Sequence, residues 1–290
     1  MGVNLAGRLR TLAWATLIAN IVIVVTGGAV RLTGSGLGCP TWPRCTDDAL
    51  TPRHALTAHS AIEFGNRSLT FVLTAIAVLT FIAAYQAVKA GGRTQLRTVA
   101  FWLALSIPAQ AVLGGITVKT HLNPWVVGFH LLFSMSIIGL AAVYIRMMDG
   151  PLPAPTAGRP VTLLAWAMGA AGVAVLVVGT IVTGSGPHAG DDHSKRNGLS
   201  PLQLSQLHAD LVFLFVGLTI GLLFVLWATG ARPEALRAAR LLLIVEIAQG
   251  AIGFVQYFTH LPVVLVGFHM LGAALIMAVM TWTVLSTREA

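Results

Sequence analysis

Apolar residues run along this chain in long continuous blocks and do not alternate with polar ones. Eight blocks stand out, at about 12–30, 61–87, 99–118, 126–147, 162–183, 204–229, 240–258 and 263–285. Each is close to the roughly 20 residues that a helix needs to cross a hydrocarbon layer. A helix also satisfies its own backbone polar groups there, so the pattern predicts eight transmembrane helices. The first block follows Arg8 and Arg10, shows no small-residue cleavage site and continues to about Val30. It reads as a span and not as a cleaved signal peptide.

The blocks fall into two groups of four, separated by the Pro- and Gly-rich stretch DGPLPAPTAGRP at 149–160. The second group echoes the first. PAQAVLGGITVKTHLNPWVVGFH (108–130) returns as IAQGAIGFVQYFTHLPVVLVGFH (247–269), with Gln110/Gln249, Gly114/Gly253, His121/His260 and His130/His269 each 139 residues apart. VTGGAVRLTGSG (25–36) resembles VVGTIVTGSG (177–186), and IEFGNRSLTFVL (62–73) matches LSQLHADLVFLF (204–215) in apolar pattern, which sets Asn66 opposite His208. Four spans per half give both halves one orientation, a parallel repeat about an axis along the membrane normal. The expected fold is therefore an all-α integral membrane protein of two four-helix bundles. Residues 1–148 form the N-terminal half, 149–160 a cytoplasmic linker and 161–290 the C-terminal half.

Composition agrees. Of 290 residues 56% are hydrophobic and 10% charged, and mean hydropathy is +0.81, whereas soluble domains carry about 25% charge. The formal charge of +8 raises nucleic acid as a partner. That is excluded, because Lys and Arg sit at span ends and form no patch. Their distribution sets topology instead. Eleven (Arg8, Arg10, Lys89, Arg93, Arg97, Arg146, Arg159, Arg232, Arg237, Arg240, Arg288) fall on one side, and six (Arg31, Arg44, Arg53, Lys119, Lys195, Arg196) on the other. By the positive-inside rule both termini are cytoplasmic, and the long loops 32–58 and 184–203 are extracytoplasmic.

The candidate chemistry lies among the histidines. His54, His188 and His193 read as solvated loop residues, while His121 and His260 end the third and seventh spans and suit either interfacial packing or a bound polar group. His59, His130, His208 and His269 lie at or within the outer ends of spans 2, 4, 6 and 8, where an ionisable side chain marks a functional site. Facing helices of a bundle can hold a metal axially between two imidazoles, and apolar surroundings suit a haem macrocycle. Gly128 and Gly267, two positions before His130 and His269, leave room for a flat ring. Close-set HxxxH or CxxC pairs of the kind zinc favours do not occur. Span 2 places His59, Glu63, Asn66 and Arg67 on one helical face. Glu63 has two readings: an i,i+4 ion pair with Arg67, or a carboxylate facing a ligand cavity as proton acceptor or stabilising charge. Its repeat partner is Ser205, so the halves share a scaffold and differ in chemistry. Glu246, matched by Ile107, reads as a structural hydrogen bond. Cys39 and Cys45, in GCPTWPRC, are spaced to close a small ring in an oxidising compartment. They are either a structural disulfide or a redox-active pair.

GGAVRLTGSGLGCPTWPRC, the IE-x-x-x-R segment of span 2, Q-x-x-LGG-x-TV and the repeated histidines together resemble the haem A synthase family, over nearly the whole chain. The resemblance implies an oxidoreductase of the cell membrane that oxidises the C8 methyl group of haem O to a formyl group, making haem A for terminal oxidases. It implies haem b held by His208 and His269 in the C-terminal half. It places the haem O substrate in the N-terminal half, with His130 on the substrate iron, Asn66, His59 and Arg67 around it and Glu63 as the catalytic residue. Cys39 and Cys45 match the family's loop cysteine pair, and the second cysteine pair of some members is absent. Both haem sites are expected toward the extracytoplasmic side, with Arg31, Arg67 and Lys119 available to propionates. Expected partners are haem O synthase, an unidentified electron donor and membrane lipid, and a homo-oligomer is allowed. One departure stands out: the family pattern E-x-x-H-R reads Glu63-Phe64-Gly65-Asn66-Arg67 here, so Asn replaces a haem-ligating His. The substrate iron then has His130 alone, or His59 reaches in from two turns away. Two other classes stay open: a dihaem b-type electron carrier, which needs two similar bis-His sites, and a parallel-repeat transporter with His and Glu as proton relays.

Overall fold

The structure, a computed structural model, describes residues 4–52, 57–152 and 158–289. Arg53, His54 and the middle of the expected linker lie outside the described residues. Eight long helices follow one another: α1 (Leu9–Leu32), α2 (Ala58–Lys89), α3 (Thr94–Lys119), α4 (Pro124–Arg146), α5 (Arg159–Ser185), α6 (Pro201–Ala228), α7 (Pro233–Phe258) and α8 (Val263–Ser286). All eight are long and apolar enough to cross a membrane, and no strand occurs among the described residues. The chain is a multi-pass membrane protein.

Local chemistry explains where the helices begin. The Thr57 hydroxyl accepts from Ser60 N–H and the Ser60 hydroxyl accepts from Thr57 N–H, a reciprocal cap that starts α2. Ser200 caps α6 and Pro201 is its first residue. Helix α7 starts at Pro233, about two turns before its apolar block. Proline suits the first helical position and Glu234 suits the positive end of the helix dipole, so the polar segment PEALRAAR joins the helix.

The chain forms two compact units, residues 1–145 with 183–198, and residues 146–182 with 199–290. Unit 1 therefore includes most of the α5–α6 loop. Arg31 of α1 holds it by donating to the carbonyls of His188 (2.6 Å) and Thr183 (2.9 Å), and Gly36 N–H donates to Gly190 O. Unit 2 has a core of Val161, Met168, Phe215, Leu222, Leu242 and Met280 among others. Elsewhere apolar side chains face outward: Phe71 is 78% and Trp227 70% exposed. Such surface would be costly in water at about 25 cal/mol per Å², and it is the natural face toward lipid.

Two helix–helix turns share an unusual backbone. His121 and Leu122 between α3 and α4, and His260 and Leu261 between α7 and α8, all have positive φ, from 49° to 64°. Leu122 N–H bonds back to Thr117 O and Leu261 N–H to Gln256 O, which closes the preceding helix. Left-handed conformations cost a non-glycine residue about 1–2 kcal/mol each. In unit 1 the cost is met by burying Leu122, which is 8% exposed. His121 and His260 are exposed turn residues.

Candidate functional site

In unit 2, His208 lies two turns into α6 and His269 two turns into α8, and their ring centroids are 6.4 Å apart at an interplanar angle of 66°. Glycines make the space. A Cβ on Gly179 of α5 would sit 2.8 Å from His208 Cε1, and one on Gly253 of α7 would sit 3.3 Å from His269 Cε1. Gln249 of α7 donates from Nε2 to the His269 carbonyl at 2.7 Å, which fixes the height of α8 against α7. The Nδ1 atoms of both rings are buried. Their Nδ1 edges face helices: a Cβ on Gly179 would be 3.2 Å from His208 Nδ1, with the Val175 backbone of α5 hydrogen-bonding that ring, and one on Gly253 would be 3.8 Å from His269 Nδ1. That leaves Nε2 of each ring as the nitrogen suited to a ligand.

The spacing can be tested against a metal held between the rings. Metal–imidazole bonds of about 2.0–2.1 Å, with about 1.1 Å from nitrogen to ring centre, put two axial rings about 6.3 Å apart. The observed separation agrees. Among the described residues no group of three or more His, Cys, Asp or Glu gathers round a metal. A metal between these rings would need its other ligands from a bound macrocycle. The residues present fit a haem.

Unit 1 repeats half of this arrangement. His130 on α4 packs against α3 where a Cβ on Gly114 would be 3.6 Å from its Cε1, and its Nδ1 is likewise buried and unpartnered. Gln110 Nε2 reaches the His130 carbonyl (3.4 Å) and the Ser134 hydroxyl (2.5 Å). At the position that the sequence repeat matches to His208 stands Asn66, whose Oδ1 accepts from the Thr26 hydroxyl of α1 at 2.8 Å. Where unit 2 has a second imidazole, unit 1 has an amide tied to its neighbouring helix.

The other residues of α2 serve the α1–α2 loop. Cys39 and Cys45 form a disulfide, and both are buried. Arg67 donates to the carbonyls of Cys39 (2.8 Å), Thr41 (3.0 Å) and Arg44 (3.3 Å) and forks onto Glu63 Oε1 through Nε (3.1 Å) and Nη2 (2.5 Å). Glu63, 5% exposed, accepts from Cys39 N–H at 2.6 Å on its other oxygen. The i,i+4 ion pair is thus formed, and it straps the disulfide loop to α2. The loop's Trp42 lies flat on α3 at Gly115, where a Cβ would collide with its ring, and Lys119 Nζ stands 5.7 Å over that ring.

His59 is exposed at the start of α2, its Nδ1 3.0 Å from the Ser35 hydroxyl. With Thr33, Gly34, Leu37, Gly38, Asp191 and Asp192 it lines a cavity of about 320 Å³. The face expected to present four residues together therefore divides three ways: His59 to Ser35, Asn66 to Thr26, and Glu63 with Arg67 to the loop. Arg31 and Arg67, expected beside propionates, are directed at backbone carbonyls.

Sequence reasoning missed several supporting residues. Gln110 and Gln249 were visible as a repeated pair, yet their role as clamps on the histidine carbonyls depends on helix register. Gly179, Thr26 and Ser35 carried no signal of their own.

The model of the COX15-CtaA family, described as cytochrome oxidase assembly protein, matches residues 10–190. The chain is similar to Heme A synthase of Staphylococcus epidermidis (30% identical over 143 residues, 48% of this chain and 44% of that protein). It is also similar to Heme A synthase of Geobacillus thermodenitrificans (29% over 164 residues, 54% and 49%) and of Rhodospirillum centenum (37% over 119 residues, 38% and 31%). The chain spans less than half the length of these relatives.

Proposed function

The chain belongs to the COX15-CtaA family of cytochrome oxidase assembly proteins, and on that footing we propose that it is a haem A synthase, oxidising the C8 methyl group of haem O to a formyl group. The observation that carries the reading is the difference between the two units. Both set a histidine against a glycine under a glutamine clamp, but among the described residues only unit 2 brings a second histidine ring against the first.

In this reading His208 and His269 hold haem b, which supplies one-electron transfer when bound. Haem O, delivered by haem O synthase, is the substrate of unit 1, with His130 its protein ligand and Asn66, Arg67 and His59 around it. A single histidine leaves the substrate less constrained than the cofactor, which suits a molecule that must enter and leave. Glu63 is placed by Arg67 and Cys39 N–H and keeps acceptor capacity on Oε2. From there it takes a proton or stabilises positive charge as the methyl group passes through the alcohol to the aldehyde. Each of the two oxidations adds an oxygen atom at the carbon, so the balance needs an external oxidant such as dioxygen. The electron donor supplies two electrons, and solvent two protons, to reduce its second oxygen atom to water. Both termini are cytoplasmic and both haem sites lie toward the extracytoplasmic side. The Thr26–Asn66 hydrogen bond disfavours a dihaem carrier, because the position such a carrier would ligate through is already engaged.

Haem extraction from the purified protein tests the function. Haem A or its alcohol precursor supports it; haem b alone indicates an electron carrier, and no haem a transporter. Glu63→Gln should abolish haem A and leave haem O or the alcohol to accumulate, and undiminished haem A would refute its catalytic role. His269→Ala should lose the low-spin b-type spectrum, and a normal spectrum would overturn the cofactor assignment.

A further inference from the structure

Glu246 has no place in the reaction just described. It sits near the middle of α7, 3% exposed, at a position matched in the other half by Ile107. Its Oε1 lies 2.8 Å from the hydroxyl oxygen of Thr219 on α6, which is also 3.1 Å from the Phe215 carbonyl. A threonine hydroxyl has one proton. If Glu246 is ionised, Thr219 donates to it. If Glu246 is protonated, it can donate to Thr219, and Thr219 can donate to Phe215. The hydrogen bond therefore has two arrangements, one for each protonation state.

A polar stripe leads from Glu246 toward His269. Glu246, Gln249, Gly253 and Gln256 follow one another along α7. Gln249 holds the His269 carbonyl, and Gly253 abuts the His269 ring. Glu246 Oε2, Gln249 Oε1 and Gln256 Oε1 are all buried acceptors without a donor among the described residues. Buried acceptors of this kind are normally met by ordered water, and bridging water passes protons.

We propose that Glu246 is the proton-exchanging group of the His208–His269 site, its proton affinity rising when the cofactor there is reduced, with the proton drawn from solvent through water along Gln249 and Gln256. This rests on the reading that unit 2 holds haem b. One electron would come from a one-electron donor, and a tenfold shift in the carboxyl's proton equilibrium would bind at most about half a proton in return, so the added charge is offset only in part. Glu246 and Gly253 are seven residues apart, about 10 Å along the helix. A unit change of charge at about 12 Å, at an effective dielectric constant of about 20, shifts a proton equilibrium about tenfold. Few other charges intervene. On α6 Thr219 is the hydrogen-bond partner of Glu246, and the titratable residues of that helix, His208 and Asp210, lie nine or more positions from it. On α8 the one titratable residue is His269, and on α7 the nearest charges are Arg240 and Arg237, then Glu234.

The test uses the holoprotein, with the reduction equilibrium of its low-spin haem measured across the whole pH range in which the holoprotein is stable, and redox-difference infrared spectra recorded in H2O and D2O. In the wild type the equilibrium should change about tenfold over the titration, about 59 mV for one electron. A carboxyl C=O band should appear on reduction and shift in D2O. In Glu246→Gln the band should vanish and the pH dependence flatten. Thr219→Val, which keeps the carboxyl and removes its partner, should move the band, and it carries the test if Glu246→Gln does not fold. A pH-independent equilibrium in the wild type, or a band that Glu246→Gln and Thr219→Val leave unaltered, overturns the proposal. A wild-type protein without a low-spin b-type signal overturns the cofactor reading itself, and this proposal with it.

Discussion

Gly179→Ala isolates the packing that shapes the His208–His269 site. The added methyl would lie 2.8 Å from His208 Cε1 and 3.2 Å from Nδ1, about 0.6 Å inside ordinary carbon contact of about 3.5 Å or slightly less. Helix α5 or the imidazole must yield. Overpacking of this kind costs about 1–3 kcal/mol. Alanine also favours the helix over glycine by up to about 1 kcal/mol, so global stability should change little. The strain falls on the ring orientation. If it is borne only when the ring is held on a metal, cofactor affinity drops about 5- to 150-fold at tenfold per 1.4 kcal/mol. The same substitution at two other glycines gives a graded series. Gly253→Ala would place its methyl 3.3 Å from His269 and should lose less, while Gly114→Ala, at 3.6 Å from His130, is ordinary contact and should leave the unit 2 cofactor untouched. The assay is haem b per chain and the low-spin absorbance spectrum of purified protein, with thermal unfolding in detergent as control. A full cofactor complement in Gly179→Ala, or equal losses in all three variants, would refute the argument that these glycines set the ring positions.

Two further outcomes follow from the loop and the turns. Arg67→Ala leaves Glu63 buried without its cation and frees three loop carbonyls, and should cost about 3 kcal/mol; Arg67→Lys keeps the charge without the fork and should fall between. Thermal unfolding in detergent checks the order, and an unchanged midpoint for Arg67→Ala would contradict it. His121→Gly and His260→Gly should each be neutral or stabilising by about 1 kcal/mol, because glycine adopts their positive φ without strain; a loss of bound haem in either would show a ligand role beyond the turn.

Much of the architecture was legible in the chain. Continuous apolar blocks can only be satisfied in lipid as helices, so eight spans were readable within a few residues. The misses were at polar helix starts such as Pro233, where capping decides and hydropathy is silent. The His208–His269 pair was readable because an ionisable residue in a span is costly and a duplicated pattern marks shared depth. The surroundings of Glu63 were not. Spacing allowed both an ion pair with Arg67 and a carboxylate facing a cavity, and only the fold showed Arg67 and Cys39 N–H taking three of its acceptor positions.

The sequence by itself determined the membrane environment and the helix count, because these depend on composition and spacing along one chain, and its resemblance to the family marked Asn66 as standing where a histidine is usual. Tertiary structure decided which residues meet: Gly179 with His208, Thr26 with Asn66, Thr219 with Glu246, and Arg31 with the α5–α6 loop. Each of these pairs joins segments 27 to 157 residues apart in sequence. Helix register and helix–helix packing place them within ångströms, and no local pattern encodes that distance.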